Sequence, residues 1–276
     1  MKRILSTIIM LTVSAWAMAQ VDTTSVVYQE SVKRAISMME HDSLPQAERL
    51  LRNTIEAEPS ARANALLYQQ LGHIYEKQNR LDEATEAYTE ALLITPSNII
   101  ILLERAALLL HRDQTARAIN DYSRVLEIDA NHTQALFVRA YLYMNTRDFR
   151  KARADYERLI KLESDNRDAL LGLALLNSKD NRPREAMEQM DNLIRRFPGD
   201  PTLYIVRGGL KQQRKDYEDA LKDMNQAIHI NSSNPDFYIS RGALYMDMRK
   251  KKLARQDFQT AIQYGADAKE IAEMMK

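Results

Sequence analysis

The side chains best able to do chemistry here are five histidines, His41, His73, His111, His132 and His229, set among 38 carboxylates. A zinc hydrolase needs two histidines one helical turn apart with a glutamate between them, and no pair is spaced that way. His41 and Asp42 are neighbours at a turn, where the two side chains cannot converge on one metal from one helix face. The glycine patterns of a nucleophile elbow or a phosphate loop do not occur. Cysteine is absent, which removes thiol chemistry and disulfides. The expectation is a chain with no catalytic centre, no metal site and no cofactor. His73 and His111 are assigned to partner contact or surface.

What the chain does contain is a period. Ala47, Ala84, Ala118, Ala152, Ala186, Ala220 and Ala254 are separated by 37 residues and then by 34 five times over. An interval of that length means one supersecondary unit copied and stacked. With each alanine as position 20 of a 34-residue unit, position 8 is Ala35, Gly72, Ala106, Ala140, Ala174, Gly208 or Gly242, always small. Position 24 is large each time, from Leu51 and Tyr88 to Phe258. Small against large at these offsets lets two short antiparallel helices cross closely. All seven prolines fall between helices or in a first turn, where the missing N–H does no harm.

These residues resemble the tetratricopeptide repeat family. The second unit carries the pattern best: Tyr68-x2-Leu71-Gly72-x2-Tyr75, then Ala84-x3-Tyr88, then Pro96. The expected fold is all-α, with seven helix-turn-helix repeats at 28–61, 65–98, 99–132, 133–166, 167–200, 201–234 and 235–268. The repeats span 28–264 as a domain, and 265–276 form a C-terminal capping helix. The resemblance implies a right-handed α-α superhelix whose first helices line a concave face. The first repeat departs most, with Ser31 and Thr54 at normally apolar positions.

The repeats carry charge in register. Position 7 is Arg105, Arg139, Arg207 and Arg241 in repeats three, four, six and seven, and position 23 of those same repeats is Asp121, Asp155, Asp223 and Asp257. In repeats two and five the two positions change together, to Leu71 with Ala87 and to Leu173 with Gln189, while repeat one departs with Arg34 and Leu50. The covariation predicts four structural ion pairs, each joining the two helices of one repeat through a two-pronged guanidinium–carboxylate contact.

A second stripe on the first helices, at positions 2, 5, 9 and 12, is the expected partner-binding groove. It comprises Leu103, Ala107, Leu110, Phe137, Tyr141, Met144, Leu171, Leu175, Ile205, Ile239 and Met246, with Ile100 and Ala243 beside them. Repeat two instead presents Gln69, His73 and Glu76, a polar opening to an apolar trough. Such a trough suits an amphipathic helix or an extended peptide. The lysine and asparagine of a carboxylate clamp, which the family places at positions 5 and 9, are missing.

The first residues read as a secretory leader over 1–19. Lys2 and Arg3 precede the apolar run Ile4 to Val13, Ala17-Met18-Ala19 is the cleavage site, and 20–27 form a linker. The run is too short for a membrane span, and no lipid-attachment cysteine follows. The expected location is the periplasm or beyond. The whole chain carries a net charge of +1, with 39 basic against 38 acidic residues. Without Lys2 and Arg3 it is about −1, a balance that offers no overall field to nucleic acid or an anionic membrane. The functional expectation is a non-enzymatic module that binds a protein or peptide partner, an adaptor or assembly factor of a bacterial envelope. The alternative is a self-associating scaffold, and a homo-oligomer fits either reading.

Overall fold

The computed structural model describes residues 26–59 and 61–275. The leader 1–19 and linker residues 20–25 lie outside the described residues. Fifteen α-helices and no strand occur among the described residues. They form seven hairpins: α1 (Val26–Glu40) with α2 (Leu44–Ala57), α3 (Asn64–Lys77) with α4 (Leu81–Ile94), and α5 (Ile99–His111) with α6 (Thr115–Ile128) come first. Next are α7 (Thr133–Asn145) with α8 (Phe149–Leu162) and α9 (Arg167–Lys179) with α10 (Pro183–Arg196). The last two are α11 (Pro201–Gln213) with α12 (Tyr217–Ile230) and α13 (Pro235–Asp247) with α14 (Lys251–Gln263); a short α15 (Ala268–Met274) follows. The chain divides into two compact units, 1–135 and 136–276, the boundary falling inside the first turn of α7.

Each hairpin closes the same way. One residue per turn has positive φ, between 57° and 65°: Asp42, Asn79, Asp113, Arg147, Asn181, Lys215 and Arg249. The next amide donates back five residues, as in Arg80 N to Tyr75 O at 2.8 Å and Lys250 N to Tyr245 O at 2.8 Å. This six-to-one bond satisfies a helix-end carbonyl that would otherwise be orphaned. Asparagine and aspartate tolerate the left-handed region, whereas arginine and lysine enter it at a cost of about 1–2 kcal/mol. The following repeat starts on a side-chain cap. Asn98 accepts from the amides of Ile100 and Ile101 at 3.0 and 3.3 Å, and Asp200 and Asn234 each accept from the amide two residues on at 2.9 Å. His132 serves the same purpose at the start of α7, its Nδ1 accepting from Ala135 N at 3.2 Å.

Within each unit the core runs along the contact between first and second helices. The alanines at position 20 are 0–1 % exposed, and Tyr88, Tyr156 and Phe258 are fully buried. A Cβ on Gly72 would lie 2.5 Å from Tyr88 Cε1, and one on Gly242 would lie 2.7 Å from Phe258 Cε1. These two glycines are therefore holes for rings. Tyr156 reaches further, into the next repeat, where a Cβ on Gly172 would lie 2.5 Å from its ring. In the first repeat the hole-and-knob pattern gives way to polarity: Thr54 Oγ1 donates to Ser31 Oγ at 3.2 Å. At the C-terminal end, α15 lowers only Ile271 onto Ala254 and Phe258, while Ala272 and Met275 of the expected capping face stay exposed.

Gly209 differs from the ring-holding glycines, since a Cβ there would meet nothing within 4 Å. Gly242→Ala should therefore lose about 1–3 kcal/mol of stability through overpacking against Phe258. Gly209→Ala should gain up to about 1 kcal/mol from backbone entropy alone. Urea unfolding of the two variants reads both signs, and a loss in Gly209→Ala would show that the position is packed after all.

Candidate functional site

The four arginines of position 7 stand on the first helices, half-buried, against carboxylates that are almost fully buried. Arg105 donates through Nε to Asp121 Oδ2 at 2.8 Å and through Nη2 to Oδ1 at 2.7 Å. Arg139 meets Asp155 at 2.8 Å through both nitrogens. Arg207 meets Asp223 at 2.9 and 2.6 Å, and Arg241 meets Asp257 at 2.8 and 2.7 Å. The four aspartates are 1–6 % exposed. The side chains sit sixteen residues apart in sequence, on the two helices of one hairpin.

A third contact extends the tie. The remaining guanidinium nitrogen, Nη1, reaches the second helix of the preceding repeat at position 25. Arg105 donates there to Thr89 Oγ1 at 3.0 Å, Arg207 to Asp191 Oδ1 at 2.7 Å, and Arg241 to Asn225 Oδ1 at 2.7 Å. One arginine thus fixes three helices. The sequence signal was available: a short acceptor precedes each of these arginines by sixteen residues. The hydrogen bonds Arg207 donates to Asp223, against the opposing effect of burial, hold it far above the usual arginine range, and those to Asp257 raise Arg241. Tyr204 and Tyr238 lie 5.8 and 5.7 Å from the guanidinium centres of Arg207 and Arg241 and add aromatic contact.

Repeat five has no such tie. Leu173 and Gln189 occupy its two positions and help line a hollow of about 410 Å³ together with Leu170, Asn192 and Arg196. Gln189 accepts from Asn177 at 2.8 Å, and Arg153 of α8 bonds Asn177 Oδ1 at 2.6 Å and Asp180 at 3.2 Å. Two neutral side chains and a hollow replace a two-pronged ion pair.

The stripe expected to bind a partner is partly consumed by packing. In unit 1, Leu103, Ala107 and Leu110 are half-buried. In unit 2, Tyr141 is 38 % exposed, whereas Met144 is 4 % exposed and is not available to a partner. Its unbranched thioether has turned inward, as methionine does where a core leaves an irregular gap. Phe137 is half-buried, edge-on to Tyr156 at 6.2 Å. Leu171, Leu175, Ile205, Ile239 and Met246 are all half-buried. Ile205 rests on the cluster of Ala220, Met224 and Leu244, and Ile239 and Met246 rest on that of Ala254 and Phe258. Gly209 opens the same face of α11.

The polar side chains expected at the opening of repeat two form a hydrogen-bonded network inside unit 1. Gln69 is 3 % exposed and donates to Glu104 Oε2 at 2.8 Å. His73 Nε2 lies 3.1 Å from Glu104 Oε1, so both bridge α3 to α5. Tyr88 donates its hydroxyl to Glu76 at 2.5 Å, and its ring meets that of His73 edge-on at 5.9 Å. Gln69 is buried in this network, whereas His73 stays partly open and Glu76 is exposed. Burial alone would depress His73. The hydrogen bond and charge of Glu104, helped by Glu76 and opposed by Lys77, outweigh it and raise the imidazole. Glu76 is raised by burial, against the hydrogen bond of Tyr88 and the charges of His73 and His111, with Glu104 adding to the rise. Among the described residues no group of three or more histidines or carboxylates is placed to hold a metal ion, and no helix is long and apolar enough to cross a membrane.

The fold and its surfaces define an all-α protein of stacked helix hairpins, with ion pairs set in phase with the repeat. The tetratricopeptide repeat profile matches residues 65–98 and 137–201. A tetratricopeptide repeat protein from Parabacteroides merdae is similar over 91 % of this chain and 98 % of its own, at 27 % identity and a TM-score of 0.73. The C-terminal part of a repeat-containing protein from Cytophaga hutchinsonii shares the fold over 89 % and 99 % of the two chains, with 15 % identity and a TM-score of 0.62. A MamA fragment from Desulfovibrio magneticus shares it over 61 % and 96 %, with 16 % identity and a TM-score of 0.55. A comparison with curated protein sequences finds no match. The chain carries tetratricopeptide repeats and has the fold of proteins built from them.

Two outcomes test these sites. Asp121→Ala strands a guanidinium that is only 12 % exposed and should cost about 3–5 kcal/mol in urea unfolding; a cost under about 0.5 kcal/mol would contradict the tie. His73 contributes stability that is fully present below its ordinary value of 6.5 and is lost as pH rises through its raised folded value. Glu76, raised from 4.5, acts in the same direction at lower pH. Above pH 6.5 the urea midpoint should therefore fall on passing to mildly alkaline buffer, and His73→Gln should flatten that fall.

Proposed function

We propose that the protein is a non-catalytic protein–protein interaction module of a bacterial cell envelope, acting as an adaptor or assembly factor. It holds a peptide segment or protein partner on the apolar stripe of unit 2. One observation carries this reading: Tyr141, a large aromatic on a first helix, stays 38 % exposed where the rest of the stripe is half-buried or, at Met144, buried. An aromatic ring with one face in water gives large contact area at little conformational cost. Gly209 supports the reading, because a mid-helix glycine with no packing neighbour lowers helix stability yet lets another backbone come close. The leader pattern around Lys2, Arg3 and Ala17-Met18-Ala19 supports the envelope location.

The experiment is capture from envelope extract by the chain from Gln20 onward, beside a Phe137→Asp/Tyr141→Asp variant. A protein held by the first and lost by the second, with unfolding midpoints preserved, is the expected result. Equal capture by both places the partner elsewhere and overturns the stripe as the site.

A further inference from the structure

The near-zero total charge conceals a division. Residues 1–135 hold 13 lysines and arginines against 17 aspartates and glutamates, a balance of −4. Residues 136–276 hold 26 against 21, a balance of +5. The division appears only when the charges are counted by unit.

In unit 2 the excess is concentrated at the within-repeat turns, where every one of the four turns exposes at least two cations. Three of the four left-handed turn residues there are Arg147, Lys215 and Arg249, whereas unit 1 uses Asp42, Asn79 and Asp113 in the same register. Cations occupy a backbone position that disfavours them. The turns of successive repeats are neighbours: Arg153 of α8 bonds Asp180, and Lys250 lies 3.7 Å from Glu218. The last turn carries Arg249 to Lys252, all exposed, and beside it Leu253 is 40 % exposed. Lys251 and Lys252 form no ion pair among the described residues.

Unit 1 offers the counterpart. Glu86, Glu90 and Leu93 share one face of α4 by helical spacing. Leu93 is 69 % exposed, the most open large apolar side chain among the described residues. On α6, Ile128 is 44 % exposed between the exposed carboxylates Glu127 and Asp129. In unit 1 two exposed apolar residues stand beside carboxylates, with Arg124 of α6 bonded to Pro96 O near Leu93, and in unit 2 an exposed apolar residue stands beside cations.

We infer that the protein self-associates head to tail, the basic turns around Leu253 of one copy docking on the acidic second-helix face around Leu93 and Ile128 of another. Opposite potentials with an apolar residue at each centre are what an interface needs for attraction and for water exclusion. A nucleic acid or an anionic lipid surface would engage the basic turns but would be repelled by unit 1. The two surfaces differ, so the contact is heterologous and propagates to a ring or a filament. It uses the outer faces and turns, leaving the stripe around Tyr141 free, so it does not depend on partner binding.

Light-scattering mass of the chain, measured at about 20 mM and about 500 mM salt, separates screened from unscreened charge. The expected result is a mass of two or more chains at low salt that returns to one at high salt. Lys250→Glu/Lys251→Glu/Lys252→Glu and, separately, Glu86→Lys/Glu90→Lys/Glu127→Lys should each be monomeric at low salt. Mixing the two should restore assembly, because each reversed surface then meets its complement. These positions are exposed, so unchanged unfolding midpoints keep the comparison valid. A wild-type monomer at every concentration and salt overturns the inference, as does assembly of both reversed variants alone. Binding of a monomeric chain to vesicles containing phosphatidylglycerol, lost only in the lysine variant, would reassign the basic turns to lipid and also overturn it.

Discussion

A carboxylate buried between two helices has to be answered by a cation, and that constraint organises this protein. Asp121, Asp155, Asp223 and Asp257 are nearly fully buried, so each arginine opposite is held in one place and one orientation. The planar guanidinium uses two nitrogens on the carboxylate and, at Arg105, Arg207 and Arg241, a third on the preceding repeat. Apolar contacts set how closely the helices approach, but leucine against alanine tolerates sliding. A two-pronged ion pair does not. The gain is in register more than in net stability, since desolvation of both charges offsets much of their attraction.

The ties also shape the surface. By fixing three helices at Arg105, Arg207 and Arg241, they hold the first helices apart while apolar side chains on the other stripe stay half-open. Where the tie is absent, at repeat five, neutral hydrogen bonds through Asn177 take over. At repeat two, with Leu71 and Ala87, the bridge between first helices is supplied instead by Gln69 and His73 on Glu104. Each interruption of the ion-pair series is thus compensated by a different polar device nearby. Sensitivity to pH enters at repeat two through His73, a group that changes charge near neutrality.

Much of this was legible in residue types at fixed offsets. The period, the small and large positions and the concerted change of positions 7 and 23 each follow from a local requirement repeated many times. What could not be read depends on distance in space. His73 and Glu104 lie thirty-one residues apart on helices that meet only after stacking, and nothing in either residue names the other. Met144 shares the helical phase of Tyr141, yet one side chain turns in and the other stays out, a difference set by the shape of the neighbouring gap. The third arginine contact was visible in principle, as Thr89, Asp191 and Asn225 each precede an arginine by sixteen residues. The charge division was hidden by a sum that mixed two units of opposite sign.

The account rests on the arginine ties as the elements that hold successive hairpins in register, and amide hydrogen exchange across unit 2 tests it most directly. Repeat five lacks the tie and repeat six has it, with both flanked by other hairpins. The account predicts that amides of α9, which no arginine tie reaches, open and exchange faster than those of α11 and α12. If α11 and α12 exchange as fast as α9, or faster, the arginines do not hold the stack and packing alone must do so.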